Sequence, residues 1–371
     1  MRPLNPNGIR FLEIVGLLFC ALLFMGPAQA DQSQFINAKL ETRELHGNLA
    51  NAVDEIAAHA SAPVWIAYAV DSVGRKDTSC CGEHNATDAQ YLCEVCHLEQ
   101  QRGETFVQKD QNPVIQLEQP DMVTILFRAD RQQVMRIRLA SSDCGLDASG
   151  LRVVWLTGVR PEESVALLTR FVLSDAAGQN LDDGLRGQAL MAIAQHADAS
   201  ADTAFTQFVG PGQPTDLREK ATFWLGVSRG KVGLALLEKM AETDPSPEIR
   251  QKVAFALFVS REPHATDDLI RMAKADSDSG VRGQALFWLA QKAGQKASNT
   301  ITTAIDKDPD TEVKKKAVFA LTQMPKNEGV PKLIEVAQSN KNPEVRKQAM
   351  FWLGQSHDPR ALAFFEKILS Q

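Results

Sequence analysis

A nine-residue pattern recurs six times at a spacing of 32 residues, beginning at Leu185, Leu217, Ile249, Val281, Val313 and Val345. The copies read LRGQALMAI, LREKATFWL, IRQKVAFAL, VRGQALFWL, VKKKAVFAL and VRKQAMFWL. A fixed period of this length constrains a chain more than its composition does. Each unit is one supersecondary element that cannot bury its apolar face alone, so neighbours must stack into an array. An array offers a long surface and no enclosed pocket. The first functional class it points to is recognition of another molecule.

Within each unit the pattern predicts a helical hairpin. Three residues ahead of each copy stand Asp182, Pro214, Ser246, Asp278, Asp310 and Asn342. All but Pro214 are N-cap residue types, whose side-chain oxygen can accept from an orphan N–H of the first turn. Pro247 and Pro343 follow at the first helical position, where a missing N–H costs nothing. A second apolar segment follows each copy, as in 232–240, 330–337 and 361–369, completing the hairpin. On a helical wheel, motif positions one, five, eight and nine share one face and form the expected core. Position eight alternates Ala192, Trp224, Ala256, Trp288, Ala320, Trp352, which suggests large and small residues interdigitating between layers.

Position seven falls on the other side, as Met191, Phe223, Phe255, Phe287, Phe319 and Phe351. Its wheel neighbours, positions three, four and eleven, are mostly Lys, Gln, Glu or Gly. The rings either pack sideways against adjacent motif helices or form a ladder on an exposed wall. The second arrangement makes Phe223, Phe255, Phe287, Phe319 and Phe351 candidate partner-binding residues, because contiguous exposed apolar surface marks an interaction site. Position two is Arg186, Arg218, Arg250, Arg282, Lys314 and Arg346. It borders the core, so these cations are expected to bond groups of neighbouring units.

The cap, the V-R-x-x-A-x-x-x-L-G run and the turn Gln355-Ser356-His357-Asp358-Pro359-Arg360-Ala361-Leu362 together resemble the short type of HEAT repeat found in phycobilin-lyase-like proteins. The resemblance covers about residues 160–371. It implies an α-solenoid in which the V-R helix lines the concave side and the Arg bridges repeats, and a family composed mostly of scaffolds.

Ahead of the array, residues 1–30 read as a signal peptide. Arg2 and Arg10 precede an apolar run from Ile14 to Met25, and Ala28-Gln29-Ala30 forms a small-residue cleavage site. This predicts export to a periplasmic or extracellular, disulfide-permissive compartment, with no stable membrane insertion after cleavage. A net charge of −6 argues against a nucleic-acid partner. Residues 31–158 predict a small α+β domain with an antiparallel sheet: a helix at 49–60, strands at 63–70, 122–128, 134–140 and 151–156, and a hairpin turn at 129–133. A helix at 161–173 then caps the array, which occupies 159–371. The expected class is thus mixed, with a small sheet domain followed by an all-α solenoid.

Five cysteines remain after the export segment: Cys80, Cys81, Cys93, Cys96 and Cys144. We read them as structural disulfides, with one thiol left over. The alternatives are a zinc site of four thiolates and a c-type haem attached at Cys93-Glu94-Val95-Cys96-His97. The surrounding polar loop offers little to wrap a porphyrin, so no cofactor and no metal are expected. No catalytic constellation is recognisable around His84 or His97, and an enzyme with a site between the domains is the weakest alternative. The reading is an exported scaffold that binds a protein or peptide through its solenoid.

Overall fold

The computed structural model describes residues 35–73, 95–99, 122–141, 144–174, 184–292 and 295–370. The export segment, Cys80, Cys81, His84, Cys93 and the cap expected at Asp182 lie outside the described residues.

The first part comprises β1 (Phe35–Ile36), β2 (Lys39–Glu44), α1 (Leu49–Ala58), β3 (Val64–Asp71), β4 (Val95–His97), β5 (Met122–Asp130), β6 (Gln133–Ser141), β7 (Gly145–Asp147), β8 (Arg152–Thr157) and α2 (Pro161–Val172). Five strands form one sheet in the order β2-β8-β3-β5-β6. The sheet is mixed, and this corrects the antiparallel expectation. β3, β5 and β6 run antiparallel, but β8 lies parallel to both β2 and β3. The physical reason is locality. The β5–β6 hairpin turns on Arg131 and Gln132, both at positive φ (51° and 63°), the mirror-image geometry that suits strand twist. Such a turn leaves a signal in adjacent residues, whereas a parallel pairing joins distant segments and leaves none.

Strand alternation gives the sheet two buried faces. Ile66, Tyr68 and Val70 join α1 and α2 in the main core. Trp65, Leu126 and Val153 are buried outside that core. A second sheet of three parallel strands, β1-β7-β4, covers them. Phe35 of β1 meets Trp155 edge-on at 5.7 Å, and Trp65 Nε1 donates to Glu99 just past β4 at 2.8 Å.

Twelve helices follow: α3 (Leu185–Gln195), α4 (Ala199–Phe208), α5 (Thr215–Ser228), α6 (Gly230–Thr243), α7 (Pro247–Val259), α8 (Ala265–Ala275), α9 (Ser279–Lys292), α10 (Gln295–Lys307), α11 (Thr311–Thr322), α12 (Lys326–Ser339), α13 (Pro343–Gln355) and α14 (Pro359–Leu369). The odd-numbered ones from α3 carry the motif and pack side by side in one row. Side-chain caps sit at Ser246, Asp278, Asp310 and Asn342, and Pro214 makes none. Each hairpin closes on a small residue eight positions after the motif's last: Ala201, Gly233, Ala265, Ala297, Gly329 and Ala361, all buried. A Cβ on Gly233 would lie 2.2 Å from the Leu225 carbonyl oxygen, and one on Gly329 equally close to that of Leu321. Only a small residue lets the second helix cross so near.

The two parts are joined by backbone. Val73 N–H donates to Gln195 O at 2.9 Å and Ala197 N–H to Asp71 O at 3.0 Å, so β3 continues into a bridge with the α3–α4 turn. Residues 33–371 form one compact unit.

Candidate binding face of the repeat array

Motif positions one, five and nine are buried as the wheel requires, except Leu185, which is half-buried, and so is position six at Leu190, Thr222, Ala254, Leu286 and Val318. Position eight divides. Ala192, Ala256 and Ala320 are buried, but Trp224, Trp288 and Trp352 are only half-buried. The tryptophans are therefore not core as expected. Each indole packs against the edge of the core.

There it meets position seven. Phe223, Phe255, Phe287 and Phe319 are half-buried, and Phe351 is exposed. Sideways packing and an exposed ladder thus coexist. Phe223 stacks on Phe255 with centroids 6.0 Å apart and planes 15° apart. Phe287 stacks on Phe319 at 6.0 Å and 6°. Trp288 reaches back to Phe255 at 4.7 Å, and Trp352 to Phe319 at 5.0 Å. Each of these indoles also lies edge-on to the phenylalanine preceding it. The result is an unbroken chain of ring contacts from Trp224 to Phe351 across five motif helices. Among the described residues, the buried Nε1 atoms of Trp288 and Trp352 have no hydrogen-bond partner.

Polar rows border the rings. Lys252, Lys316 and Lys347 are exposed on one side, and Gln291, Gln323 and Gln355 on the other. A further row, Asp216, Glu248, Glu312 and Glu344, occupies the first turns. It lies one residue ahead of the motif, seven before the ring, and so on the same helical face. The wheel confined to the motif missed it. An apolar centre inside a polar rim is the anatomy of a protein interface.

Position two bridges repeats, as expected. Arg250 binds Asp276 at 2.8 and 2.9 Å and donates to Asp244 O at 2.8 Å. Arg282 repeats this with Asp308 and Asp276 O, and Arg218 pairs with Asp244. Hydrogen bonds donated to Asp276 and Asp308 hold the Arg250 and Arg282 guanidinium pKa above its ordinary value. These cations are committed to the fold and do not form a free basic stripe.

Of the candidate disulfide residues, Cys96 and Cys144 are described. Both are buried, on β4 and directly before its neighbour β7. His97 faces Asp147 at 3.2 Å. Among the described residues no cluster of three His, Cys, Asp or Glu is placed to hold a metal ion.

One constellation escaped the sequence reading. Tyr68, Ser164 and His196 are fully buried where the sheet meets the array. The Tyr68 hydroxyl lies 2.7 Å from Ser164 Oγ, which lies 2.8 Å from His196 Nε2. His196 Nδ1 faces Ala192 O at 2.8 Å and so carries the proton. Burial pushes the imidazole pKa down to about 4. A serine beside a histidine resembles an activated nucleophile, but among the described residues no carboxylate is hydrogen-bonded to the ring, and the group is buried. Nothing in the 32-residue period signals it, because it joins elements of different kinds.

A family model described as HEAT repeats matches residues 298–371. No curated protein sequence matches the chain. Similar solved structures include human deoxyhypusine hydroxylase in complex with glycerol, at 16% identity over 56% of this chain and 90% of that one, TM-score 0.26. Another is the complex of CpcE and CpcF of phycocyanin lyase from Nostoc sp. PCC7120, at 17% identity over 56% of this chain and 80% of that one, TM-score 0.30. Among the described residues, no helix is long and apolar enough to cross a membrane.

Proposed function

We propose that this HEAT-repeat chain is an exported scaffold that captures a protein or peptide along the ring ladder of its motif helices. The observation that carries the reading is the continuity of the ladder from Trp224 to Phe351. Rings that are half-covered by their neighbours are already held in place, so little conformational entropy is lost when a partner buries the remainder. Aromatic anchors at the centre of an interface usually dominate its energy. Phe255, Phe287 and Phe319 hold that central place.

The test removes ring faces without making the sites polar. Phe287→Leu with Phe319→Leu deletes the central stacked pair while keeping an apolar side chain at each half-buried place, where the lost volume costs less than in a sealed core. Affinity capture from the native source is compared between wild type and variant, with circular dichroism as the folding control. Loss of the partner by a folded variant supports the reading. Retention moves the site to the sheet region.

We read the cysteines as a disulfide framework suited to an oxidising compartment, with neither zinc nor haem. Support comes from Cys96 and Cys144, both buried, one on β4 and the other directly before its neighbour β7. Absence of a Soret band and of stoichiometric zinc from purified protein is the expected result. The buried Ser164–His196 pair we read as a joint between sheet and array, not as a catalytic dyad.

A further inference from the structure

Three residues past the small residue on which each hairpin closes stand Ala204, Leu236, Asp268, Thr300, Lys332 and Phe364. Asp268, on α8, is the acidic one, and its side chain is 4% exposed. One of its carboxylate oxygens lies 2.6 Å from Arg271 Nη2. The other is buried and, among the described residues, has no hydrogen-bond partner. An unpaired buried carboxylate is costly, and protonation removes most of that cost. A second carboxylate faces it across the seam between the second and third repeats. Glu238 of α6 opposes ionisation of Asp268 by its charge and favours the protonated form by a hydrogen bond. Arg271 also reaches Glu242 of α6 at 3.5 Å. The seam thus gathers three carboxylates, Glu238, Glu242 and Asp268, around the Arg271 guanidinium.

We propose that the α6–α8 seam is an acid-closed hinge, held by one proton shared between Asp268 and Glu238 and loosened when that proton leaves. In the closed form the Asp268 hydroxyl donates to a Glu238 carboxylate oxygen. Loss of the proton to water leaves two carboxylates facing each other, one of them buried. Parting α6 from α8 then returns Asp268 to water. Burial is the largest effect on the Asp268 carboxyl, Arg271 opposes it, Glu238 adds to it, and the pKa is pushed up to about 6. The other charged groups on the packed helices are committed elsewhere. Lys296 of α10 and His264 face Asp267. Arg282 and Lys292 of α9 bond Asp308 and Ser260 O. Lys252 and Arg250 of α7 bond Glu219 and Asp276. Arg250 also donates to Asp244 O at the C-terminal end of α6, which ties α6 to α7, so the outer helices can part without separating the repeats.

The folded pKa lies above the ordinary 3.8, so the seam's extra stability is fully present below that value and is lost as the pH rises through about 6. From pH ~5 to pH ~7.5 the opening equilibrium of the seam should therefore rise on the order of tenfold. Hydrogen exchange of the full chain, read by mass spectrometry at the amides of α6 and α8, measures it. Asp268→Asn cannot ionise and is the reference at each pH, which cancels both the intrinsic exchange chemistry and the titration of His196. Glu238→Gln keeps an acceptor for the Asp268 hydroxyl but removes the facing charge, and should diminish the rise. The same change with pH in wild type and Asp268→Asn overturns the proposal. So does a rise spread evenly over all the helices, which would be a change of global stability and not a hinge. If Asp268→Asn does not fold, Glu238→Gln decides against wild type, and an undiminished rise there overturns the shared proton.

Discussion

Removing one partner of the Arg282–Asp308 bridge should cost more than removing both. Arg282 holds Asp308 through two hydrogen bonds, 2.8 and 3.0 Å, and spends its remaining reach on the carbonyls of Asp276 and Ser277. Its side chain is 10% exposed and that of Asp308 6%. In Arg282→Leu, Asp308 stays a buried carboxylate with the Asp310 N–H as its remaining hydrogen-bond donor. Stranding a buried charge in this way costs ~3–5 kcal/mol. The array carries its own control. One repeat on, Lys314 and Asn340 hold the equivalent places, and Lys314 donates to Asp306 O while Asn340 accepts from Asn342 N–H, with no ion pair between them. Arg282→Lys with Asp308→Asn copies that arrangement. It leaves no stranded charge, so it should cost about 1–2 kcal/mol, the order of one charged hydrogen bond. Asp308→Asn alone should fall between; in a cycle closed with Arg282→Lys, the double variant should cost less than its two single variants together. Urea unfolding followed by tryptophan fluorescence measures each value. If the single variants cost under ~1 kcal/mol, or the pair is additive, the bridge is a solvent-screened contact and the argument fails.

Three further outcomes follow from the same geometry. Trp288→Ala removes a half-buried indole in contact with Phe255, Phe258 and Phe287, so the loss should be about 2–3 kcal/mol, below that of a fully buried aromatic; an unchanged melting curve would show that the ladder contributes nothing to stability. Gly226→Ala gains about 1 kcal/mol of helix propensity, but the Ala256 backbone stands 2.3–2.9 Å from the new Cβ, and overpacking of about 1–3 kcal/mol should make the variant less stable; a rise in stability would mean α5 and α7 are further apart. His196 is neutral when folded, with its pKa lowered from 6.5 to about 4 by burial. The unfolded chain therefore binds the extra proton between those values, and stability present above pH ~6.5 should fall as the pH drops toward ~4, by up to ~3 kcal/mol. His196→Gln should flatten that part of the stability profile, and an unaltered slope would assign it to other groups.

Much of the array was legible because its determinants are local. Caps at Ser246, Asp310 and Asn342, prolines at the first turn and the apolar positions of each helix all follow from residues within one unit. What the wheel could not show is how far a side chain reaches beyond its own helix. It placed Trp288 and Trp352 in the core because their Cα–Cβ bonds point near it, yet their rings are only half-buried, packed on the core's edge and on the position-seven rings. It also omitted position six, which is polar or small in some repeats and still buried by the next helix. In the sheet the hairpin was readable, but β2, with the polar sequence KLETRE, lies at an edge and carries no alternating apolar signal. Its parallel partner β8 arrives from more than a hundred residues away in sequence. The junction at Tyr68, Ser164 and His196 draws on three elements of different type and has no pattern to repeat.

The alternation at position eight gives the array two kinds of seam. Between α7 and α9, and between α11 and α13, an indole laps over the preceding ring. Between α5 and α7, and between α9 and α11, two phenylalanines stack and position eight of the following helix is a buried alanine. A stacked seam has no room for an indole, because the ring pair already fills it. Ala320→Trp should therefore lose about 1–3 kcal/mol through overpacking, even though tryptophan is native at the same place in both neighbouring repeats. Trp352→Phe, which keeps an aromatic contact to Phe319 with a smaller ring, should cost less, under ~1.5 kcal/mol. Thermal unfolding of the two variants decides the matter. If Ala320→Trp is as stable as wild type, the seams are equivalent, and the 64-residue super-period is not imposed by packing.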